Sequence, residues 1–432
     1  MNRDTTVRVL RRSNRAAVLR HVVHEGETTR TRVGHECQLS VGSVTNVVND
    51  LISEGLVLEA GSVPSSGGRP TMLLRPRPEG AYFIGVDVGE EGAAAELFDL
   101  GLNRVDREFS RTAAGAKDSQ AIGHALTAAV GALWDRHADK WTSIAGVGLG
   151  LPGVVETDQT GAQTLYAQSL GWPPVAVREL LEVPGGGDVP IYADNGAKTL
   201  AAAENAFGSA RGAGSAVVAL LGRGVGLGVI FDGQILRGRA SSAGEWGHAR
   251  VTIGGRKCSC GGRGCLQAYV GADGILERWH DAGGRPDGHG WRAMSALIDA
   301  ASAGDAVATT VVDETIEILG VGLGNLVNLY NPERVVIGGW VGLKLMETLA
   351  PNVEAATRRV ALTRPASQFT LHSCAFGGDS VAVGAALLPL ERLIDAPSIR
   401  PVNPRSSSSP KTSLHFATPP TPPEPPISKE IS

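Results

Sequence analysis

Apolar and polar positions follow different patterns in four parts of the chain. Residues 13–60 place apolar side chains at helical spacing in short runs, which predicts consecutive helices. Residues 61–79 are rich in Gly, Pro and Arg and indicate a hairpin and linker. Residues 80–395 alternate β-rich apolar runs with Ala-rich helical segments, which predicts an α/β body. Residues 397–432 hold ten Pro and eight Ser, too few apolar groups to offset the ordering entropy, so a disordered tail is expected.

Capping residues divide the first part into three predicted helices. Ser13 is the predicted cap of the first, Thr28 or Thr29 precedes the second, and Ser40 caps the third, which Gly55 ends. The third helix buries an apolar stripe, composed of Val44, Val47, Val48, Leu51 and Ile52. Its other face is polar and supplies the candidate DNA contacts Ser40, Gly42, Ser43, Thr45, Asn46 and Asn49.

Two predicted strands follow, one at 56–59 and one at 71–74, around a Gly-rich turn that carries Arg69. Such a wing could place Arg69 on a phosphate or in a minor groove. The alternative is a three-helix module for protein interaction. We favour an all-α-plus-wing winged helix–turn–helix because spacing, capping, an arginine-bearing turn and positive charge coincide in one segment.

Charge is distributed unevenly along the chain. Residues 1–78 contain 11 Arg, no Lys and 7 acidic residues, a net charge of +4, whereas the remainder carries −8. This asymmetry indicates a polyanion partner for the first part, although a mildly basic solvated surface would also produce it. The sequence predicts neither a membrane span nor a secretory signal, and three of the five cysteines lie within eight residues, which is typical of metal binding in a reducing compartment. We therefore expect a cytoplasmic, nucleoid-associated protein.

Four motifs mark the α/β body. The strand YFIGVDVG at 82–89 ends in Asp and Gly, and GVGLGLPG follows at 146–153. A glycine-rich hairpin occupies 220–238. The fourth motif is AGEWGH at 243–248, followed by CSCGGRGCLQAY at 258–269.

These motifs, with GGRP near residue 69 and NLYNPERVVIGG near 335, resemble the ROK family of repressors, open reading frames and sugar kinases. The resemblance covers about residues 13–390, and it points to the branch with an N-terminal winged helix. It implies an actin-like, hexokinase-like fold of two lobes around a cleft, with a hinge near residue 195. The expected division is 1–78 for DNA binding, 79–395 for the sensor and 396–432 for the tail. Family members bind sugars and form dimers or tetramers, so a homodimer or homotetramer is expected.

A metal site is predicted in the fourth motif. Cys258, Cys260 and Cys265 supply three thiolates on a glycine-rich loop, and His248 completes a Cys₃His set. Four protein ligands close a tetrahedral shell, so zinc would be structural. The alternative is three reduced surface cysteines without a metal.

The pattern argues against sugar phosphorylation. ROK kinases resemble one another in an Asn-Asp pair with a Glu eight residues after the Asp; counting back from Glu204 reaches Gly196, which cannot accept a proton. Asp194 is a possible substitute on the far side of Asn195. In the first phosphate loop Glu90 and Glu91 would repel phosphates, and in the second Arg223 stands where kinases have Thr. We expect a protein that is not an enzyme.

The sugar-contacting positions are partly retained. The resemblance assigns sugar contacts to Asn195, Glu245, His248 and Gln267, with Gln267 replacing the usual Glu. Lys198 replaces a family Asn and, with Arg223, could favour an anionic ligand such as a sugar phosphate.

Together these features predict a regulator of carbohydrate-related genes that binds a double-stranded operator and responds to a sugar or sugar derivative. Two enzyme or interaction alternatives remain: a sugar kinase with a relocated base, and a ligand-independent scaffold. A DNA-binding protein without sequence preference is a third.

Overall fold

The structure, a computed structural model, describes residues 3–63, 70–89, 91–112, 118–184, 189–285, 288 and 290–396, with side chains from residue 8 onward. Arg69, the predicted wing arginine, and the predicted disordered tail from 397 onward lie outside these residues. In the described chain, no helix has both the length and the apolar character that a membrane span requires.

The N-terminal part consists of three helices and a small antiparallel sheet of order β1-β3-β2. Its elements are α1 (Arg3–Glu25), β1 (Thr28–Thr29), α2 (Arg30–Glu36), α3 (Val41–Ser53), β2 (Val57–Val63) and β3 (Thr71–Pro76). The body follows with β4 (Tyr82–Gly89), β5 (Gly92–Asp99), β6 (Arg104–Arg111), α4 (Ser119–Arg136), β7 (Ile144–Leu151), β8 (Val154–Thr157), β9 (Gln163–Tyr166), β10 (Val175–Ala176), β11 (Ile191–Asn195), α5 (Gly196–Ala206), β12 (Ser215–Leu221), β13 (Val225–Phe231), β14 (Gln234–Ile235), α6 (Gln267–Val270), α7 (Ala272–Asp281), α8 (Trp291–Ser302), α9 (Ala306–Tyr330), β15 (Arg334–Gly338), α10 (Gly339–Val360), α11 (Thr363–Ala366), β16 (Thr370–Ser373) and α12 (Ser380–Asp395).

Local sequence signals place most N-terminal elements correctly. The Thr29 hydroxyl accepts a hydrogen bond from the Arg32 amide and caps α2, and Ser40 caps α3 by accepting from the Ser43 amide. The prediction that Ser13 caps the first helix is wrong, because α1 begins ten residues earlier, at Arg3. The preceding residues contain Arg, Leu and Val and neither Gly nor Pro, so nothing stops the helix before Ser13.

The body is built on two five-stranded sheets with the same connectivity. The first has the order β11-β7-β4-β5-β6 and the second β14-β13-β12-β15-β16. In each sheet the first three strands in sequence pair antiparallel in succession, and the last two add in parallel on the other side of the first strand. Two lobes of related topology are what an actin-like, hexokinase-like fold requires, and residue 195 lies where the chain passes from the first sheet towards the second.

Two helices cross between the lobes. Helix α5 follows the first sheet but packs on β12 and β13 of the second, whereas α12 follows the second sheet but packs on β4 and β7 of the first. The two helices also pack on each other. Glycines allow direct backbone contact: a Cβ at Gly384 would lie 1.8 Å from the Thr199 carbonyl oxygen, and a Cβ at Gly148 would lie 1.8 Å from that of Ala385.

One apolar core joins the N-terminal part to the body. It contains Val18 and Leu19 of α1, Val48 and Leu51 of α3, and Leu390 of α12, all fully buried. The predicted domain boundary at 78/79 therefore stays a prediction, since side chains from both sides of it share one core.

Adding a methyl group where α5 meets α12 should separate the two helices. We expect Gly384→Ala to destabilise the protein by about 1–3 kcal/mol because the added Cβ overlaps a backbone carbonyl. Gly131→Ala on helix α4 is the matched control, since the nearest atom to the added Cβ is in the Pro184 ring at 3.9 Å. Because alanine has the higher helix propensity, this variant should be as stable as the parent or more stable by up to about 1 kcal/mol. Urea unfolding midpoints measure both, and an unchanged midpoint in Gly384→Ala would contradict the close approach.

Candidate functional site

The polar face of α3 points away from the core, as its spacing predicts. Five of the six residues singled out there are exposed and the remaining one, Ser43, is half-buried; the exposed ones are Ser40, Gly42, Thr45, Asn46 and Asn49. The Thr45 hydroxyl donates to the Val41 carbonyl at 2.9 Å, and Asn49 accepts from Arg30 at 3.3 Å. Asn46 therefore presents the least committed side chain on this face.

Sequence reasoning missed two residues at this surface. Val41 opens α3 with 85% of its surface exposed, although an apolar residue would be expected inside. Arg30 begins α2 and also bonds Glu59 of β2 at 2.6 Å, so it ties the helix pair to the hairpin. Neither had a local sequence signal: Val41 falls on the helical spacing of the apolar stripe, three residues before Val44, so spacing alone places it inside, and the ion pair of Arg30 joins residues 29 apart.

The four predicted metal ligands converge. The donor atoms of His248, Cys258, Cys260 and Cys265 all lie within 4.8 Å of one another. The Sγ atoms of Cys260 and Cys265 are 3.8 Å apart, and His248 Nδ1 is 3.7 Å from Cys258 Sγ. Ligand atoms about 2.0–2.3 Å from a common tetrahedral centre would be separated by similar distances. The residues present therefore fit a metal ion.

The cysteine loop is folded so that only glycine suits one of its corners. Gly264 has φ +75°, and a Cβ there would lie 1.7 Å from the Thr252 carbonyl oxygen. Short β-bridges, Arg250 with Cys265 and Lys257 with Arg263, fold the segment back on itself. These turns carry the three cysteines to the side of His248.

The end of β11 and the first turn of α5 form a polar cluster. Asn195 caps α5 by accepting hydrogen bonds from the Ala197 and Lys198 amides, and its Nδ2 donates to the Gly153 carbonyl at 2.8 Å. Asp194 is 3% exposed and pairs with Arg237 at 2.5 Å. Sequence reasoning assigned Asn195 to sugar binding; the structure uses its amide for helix capping as well.

Lys198 is buried in the same cluster. Its Nζ donates to the Ser241 carbonyl at 2.5 Å. Burial lowers the pKa of its ammonium group, and the carboxylates of Asp194 and Glu245 oppose that shift. Glu245, which the resemblance assigns to sugar binding, is exposed and lies close enough to Lys198 to affect its pKa.

Position 196 has room for a side chain. A Cβ on Gly196 would meet its nearest neighbours, among them the Leu151 carbonyl oxygen, at 3.8 Å, an ordinary contact. Glu204, from which position 196 is counted back eight residues, is buried and accepts hydrogen bonds from the amides of Ser209 and Ala375. Its role in the structure is to fix the end of α5.

Gln267 is engaged by its surroundings. Its Oε1 accepts from the Val225 amide and its Nε2 donates to the Ser259 hydroxyl, each at 3.1 Å. It links the start of β13 to the cysteine loop. A role in sugar binding, predicted from the resemblance, would have to share these contacts.

Ion pairs join the two segments that resemble phosphate loops. Glu91 lies between β4 and β5 of the first lobe, and Arg223 lies between β12 and β13 of the second. Arg223 is 3.8 Å from Glu91 and 3.2 Å from Asp273. Burial also raises the pKa of nearby Asp87 to about 6, with Asp379 adding to the rise and Arg107 opposing it.

Two curated relatives resemble this chain over most of their length. The xylose repressor of Caldicellulosiruptor bescii is 29% identical over 338 residues, covering 76% of this chain and 84% of the relative. The DNA-binding transcriptional dual regulator NagC of Escherichia coli is 28% identical over 364 residues, covering 82% and 87%.

Among solved structures, a ROK family transcriptional regulator described as a homologue of the E. coli Mlc protein matches with a TM-score of 0.71. It is 22% identical and covers 89% of this chain and 97% of its own, so it shows the fold. The sequence profile of the ROK family matches residues 83–392. The chain therefore belongs to the ROK family.

Proposed function

We propose that the protein is a sugar-responsive transcription regulator, with a winged helix–turn–helix that binds an operator and a body that binds a sugar or sugar derivative. The observation that carries this proposal is the reach of the similarity: the match to NagC spans 364 residues, more than the 310 of the family profile. In addition, the chain carries a capped α2–turn–α3 unit with an exposed polar face ahead of residue 83, where the profile match begins.

The amino-terminal end of α3 is the proposed DNA-reading surface. Exposed short polar side chains at 42–49 can reach base edges, and the helix N-terminus favours phosphate. Exposed Val41 is suited to the methyl group of thymine. Arg69 on the wing and the net charge of +4 over residues 1–78 would add backbone contacts.

Asn46→Ala should weaken specific DNA binding. Loss of one amide that pairs with a base edge costs about 1–3 kcal/mol, with no loss of stability because Asn46 is exposed on a helix. Ser53→Ala, at the far end of the same helix, is the control and should bind as the parent protein does. Capture of genomic fragments defines the operator, and fluorescence anisotropy then gives the affinities. Equal affinity of Asn46→Ala and the parent would show that α3 does not read bases through this residue.

The proposed metal is zinc with a structural role, held by His248, Cys258, Cys260 and Cys265. The chemistry of three thiolates and one imidazole suits Zn²⁺, and a complete set of protein ligands leaves no position for a reacting water. If Nδ1 of His248 binds the metal, Nε2 remains for a sugar hydroxyl. The metal would thereby orient the residue that the resemblance assigns to the sugar.

Purified protein should contain about one zinc per chain, the stoichiometry of one closed four-ligand site. Cys265→Ser should lose most of it and melt at a lower temperature, because an oxygen ligand replaces a thiolate in the Cys₃His set. Cys374→Ser is the control, since Cys374 is also buried but its thiol donates to the Gly377 carbonyl. Elemental analysis and thermal melts measure both. Absence of stoichiometric zinc from the parent protein would overturn the assignment.

We infer that the body has no kinase activity. Gly196 stands where the catalytic Asp is expected, and Arg223 is paired with Glu91 in the region where phosphates would lie. The kinase alternative requires Asp194 as a relocated base. Its carboxylate already pairs with Arg237 at 2.5 Å, which argues against that role.

Neither the parent protein nor Gly196→Asp should hydrolyse ATP in response to sugar. The substitution tests the missing base by itself: the space around Gly196 accepts a side chain, so the variant should fold, while the carboxylate of Glu91, paired with Arg223 of the second loop, still opposes phosphate binding. A coupled ATPase assay with Mg²⁺ measures turnover, with a ROK glucokinase as the positive control. Robust sugar-dependent turnover by the parent would establish the enzyme alternative.

The effector and the assembly complete the proposal. A homodimer or homotetramer would present two recognition helices to an operator of two half-sites, and the sugar would change their spacing. The scaffold alternative predicts that no sugar raises the melting temperature, because a ligand that binds the native state stabilises it by mass action. A DNA-binding protein without sequence preference would show a steep salt dependence and no discrete site.

A further inference from the structure

Helix α1 is clamped to the body near the end of α12. Arg15 is 6% exposed and bonds the Glu54 carboxylate, at the end of α3, at 2.6 Å. The same guanidinium donates to the Ile394 and Ala396 carbonyls at 3.2 and 3.4 Å. A single buried cation therefore joins α1, the C-terminus of α3 and the C-terminus of α12.

Glu25 forms a second clamp at the other end of α1. One of its carboxylate oxygens binds Arg211, which follows α5, at 2.6 Å. The other binds Arg32, in the first turn of α2, at 2.7 Å. Glu25 therefore lies between the helix that precedes the proposed recognition helix and the segment that follows α5.

An aromatic contact supports this second clamp. The rings of His24 and Phe207 lie 5.0 Å apart, directly after the last residue of α5. His24 Nε2 is buried and has no hydrogen-bond partner among the described residues. Burial lowers the pKa of His24, with the carboxylates of Glu391 and Glu25 opposing the shift and Arg20 and Arg211 adding to it.

The opposite end of α5 lies in the proposed ligand region. The helix begins at Gly196, is capped by Asn195 and ends at Ala206. Eleven residues correspond to about 16 Å of helix. Contact between the backbones of Thr199 and Gly384 joins α5 to α12, so displacement of one helix must displace the other.

From these contacts we propose that α5 connects the ligand region to the DNA-binding part, with Glu25 as the residue that positions α2 on the end of α5. The inference rests on the proposed function, because it names the helices through which sugar binding would change the position of α3. The first clamp ends at the C-terminus of α12 and the second on the segment that directly follows α5, and these are the two helices that cross between the lobes. Glu25 sets the angle of α2, and α2 packs directly on α3.

The test uses the full chain and four single variants: Glu25→Gln, Arg211→Gln, Asn195→Ala and the control Glu27→Gln. Among the described residues Glu27 pairs with Arg75 of β3, within the N-terminal part, and its substitution changes the charge as Glu25→Gln does. Hydrogen exchange of α2 amides and affinity for captured operator DNA are the two measurements.

Glu25→Gln and Arg211→Gln should each speed α2 exchange and weaken operator binding about fivefold, the factor that an ion pair of this exposure contributes. The double variant should be no worse than Glu25→Gln alone, because that substitution already removes the ion pair with Arg211. If only the net charge mattered, Glu25→Gln would strengthen operator binding and Arg211→Gln would weaken it, because one variant removes an anion and the other a cation. Glu27→Gln should leave α2 exchange unchanged.

Asn195→Ala tests transmission without requiring a known ligand. Removing the cap loosens the first turn of α5, so hydrogen exchange of the α2 amides should be faster in Asn195→Ala than in the parent. Adding Asn195→Ala to Glu25→Gln should not speed exchange beyond that of Glu25→Gln alone. Three results would each overturn the proposal: equal effects of Glu25→Gln and Glu27→Gln, additivity of the Glu25 and Arg211 variants, or unchanged α2 exchange in Asn195→Ala. If the parent protein captures no operator, the proposed function fails, while the exchange measurements still decide whether Glu25 positions α2.

Discussion

The fold depends on the contact between α5 and α12, the two helices that exchange lobes. Each follows one sheet in sequence and packs on the other, so the lobes cannot part without disturbing this pair. Gly384 lets the backbone of α12 approach the Thr199 carbonyl of α5, and Gly85 and Gly148 let the strands β4 and β7 approach the backbone of α12 at Ala382 and Ala385. No flexible side chain can rearrange there to accommodate a displacement, so motion of one helix displaces its neighbours.

Charged groups between the lobes and at the head of α5 are paired within the chain. Arg223 of the second lobe pairs with Glu91 of the first and also with Asp273. At the head of α5, Asp194 neutralises Arg237 and Lys198 is buried against a carbonyl oxygen. Each of these groups therefore has a partner within the chain, and the pairs help to hold the segments around the start of α5 and between the lobes in place.

Sequence reasoning succeeded where the determinants are local. The caps at Thr29 and Ser40, the strand at 82–89 and the convergence of His248 with three cysteines follow from residues within a few turns of one another. It failed on the start of α1, because a serine inside a helix looks the same as a serine that caps one. It also missed Gln267 binding Val225, 42 residues away, and Glu25 binding Arg211, 186 residues away. Contacts of that separation leave no periodic pattern in the chain.

The shared core of α1 and α12 restricts how this architecture can evolve by recombination. Residues of both helices, including Val18, Leu19, Leu390 and Ile394, are fully buried in one cluster. A gene fusion that transferred the first 78 residues to another body would expose part of this cluster and separate Arg15 from the Ile394 and Ala396 carbonyls. These residues are thus not an independent module for recombination, because their inner face and the final helix of the body complete one core.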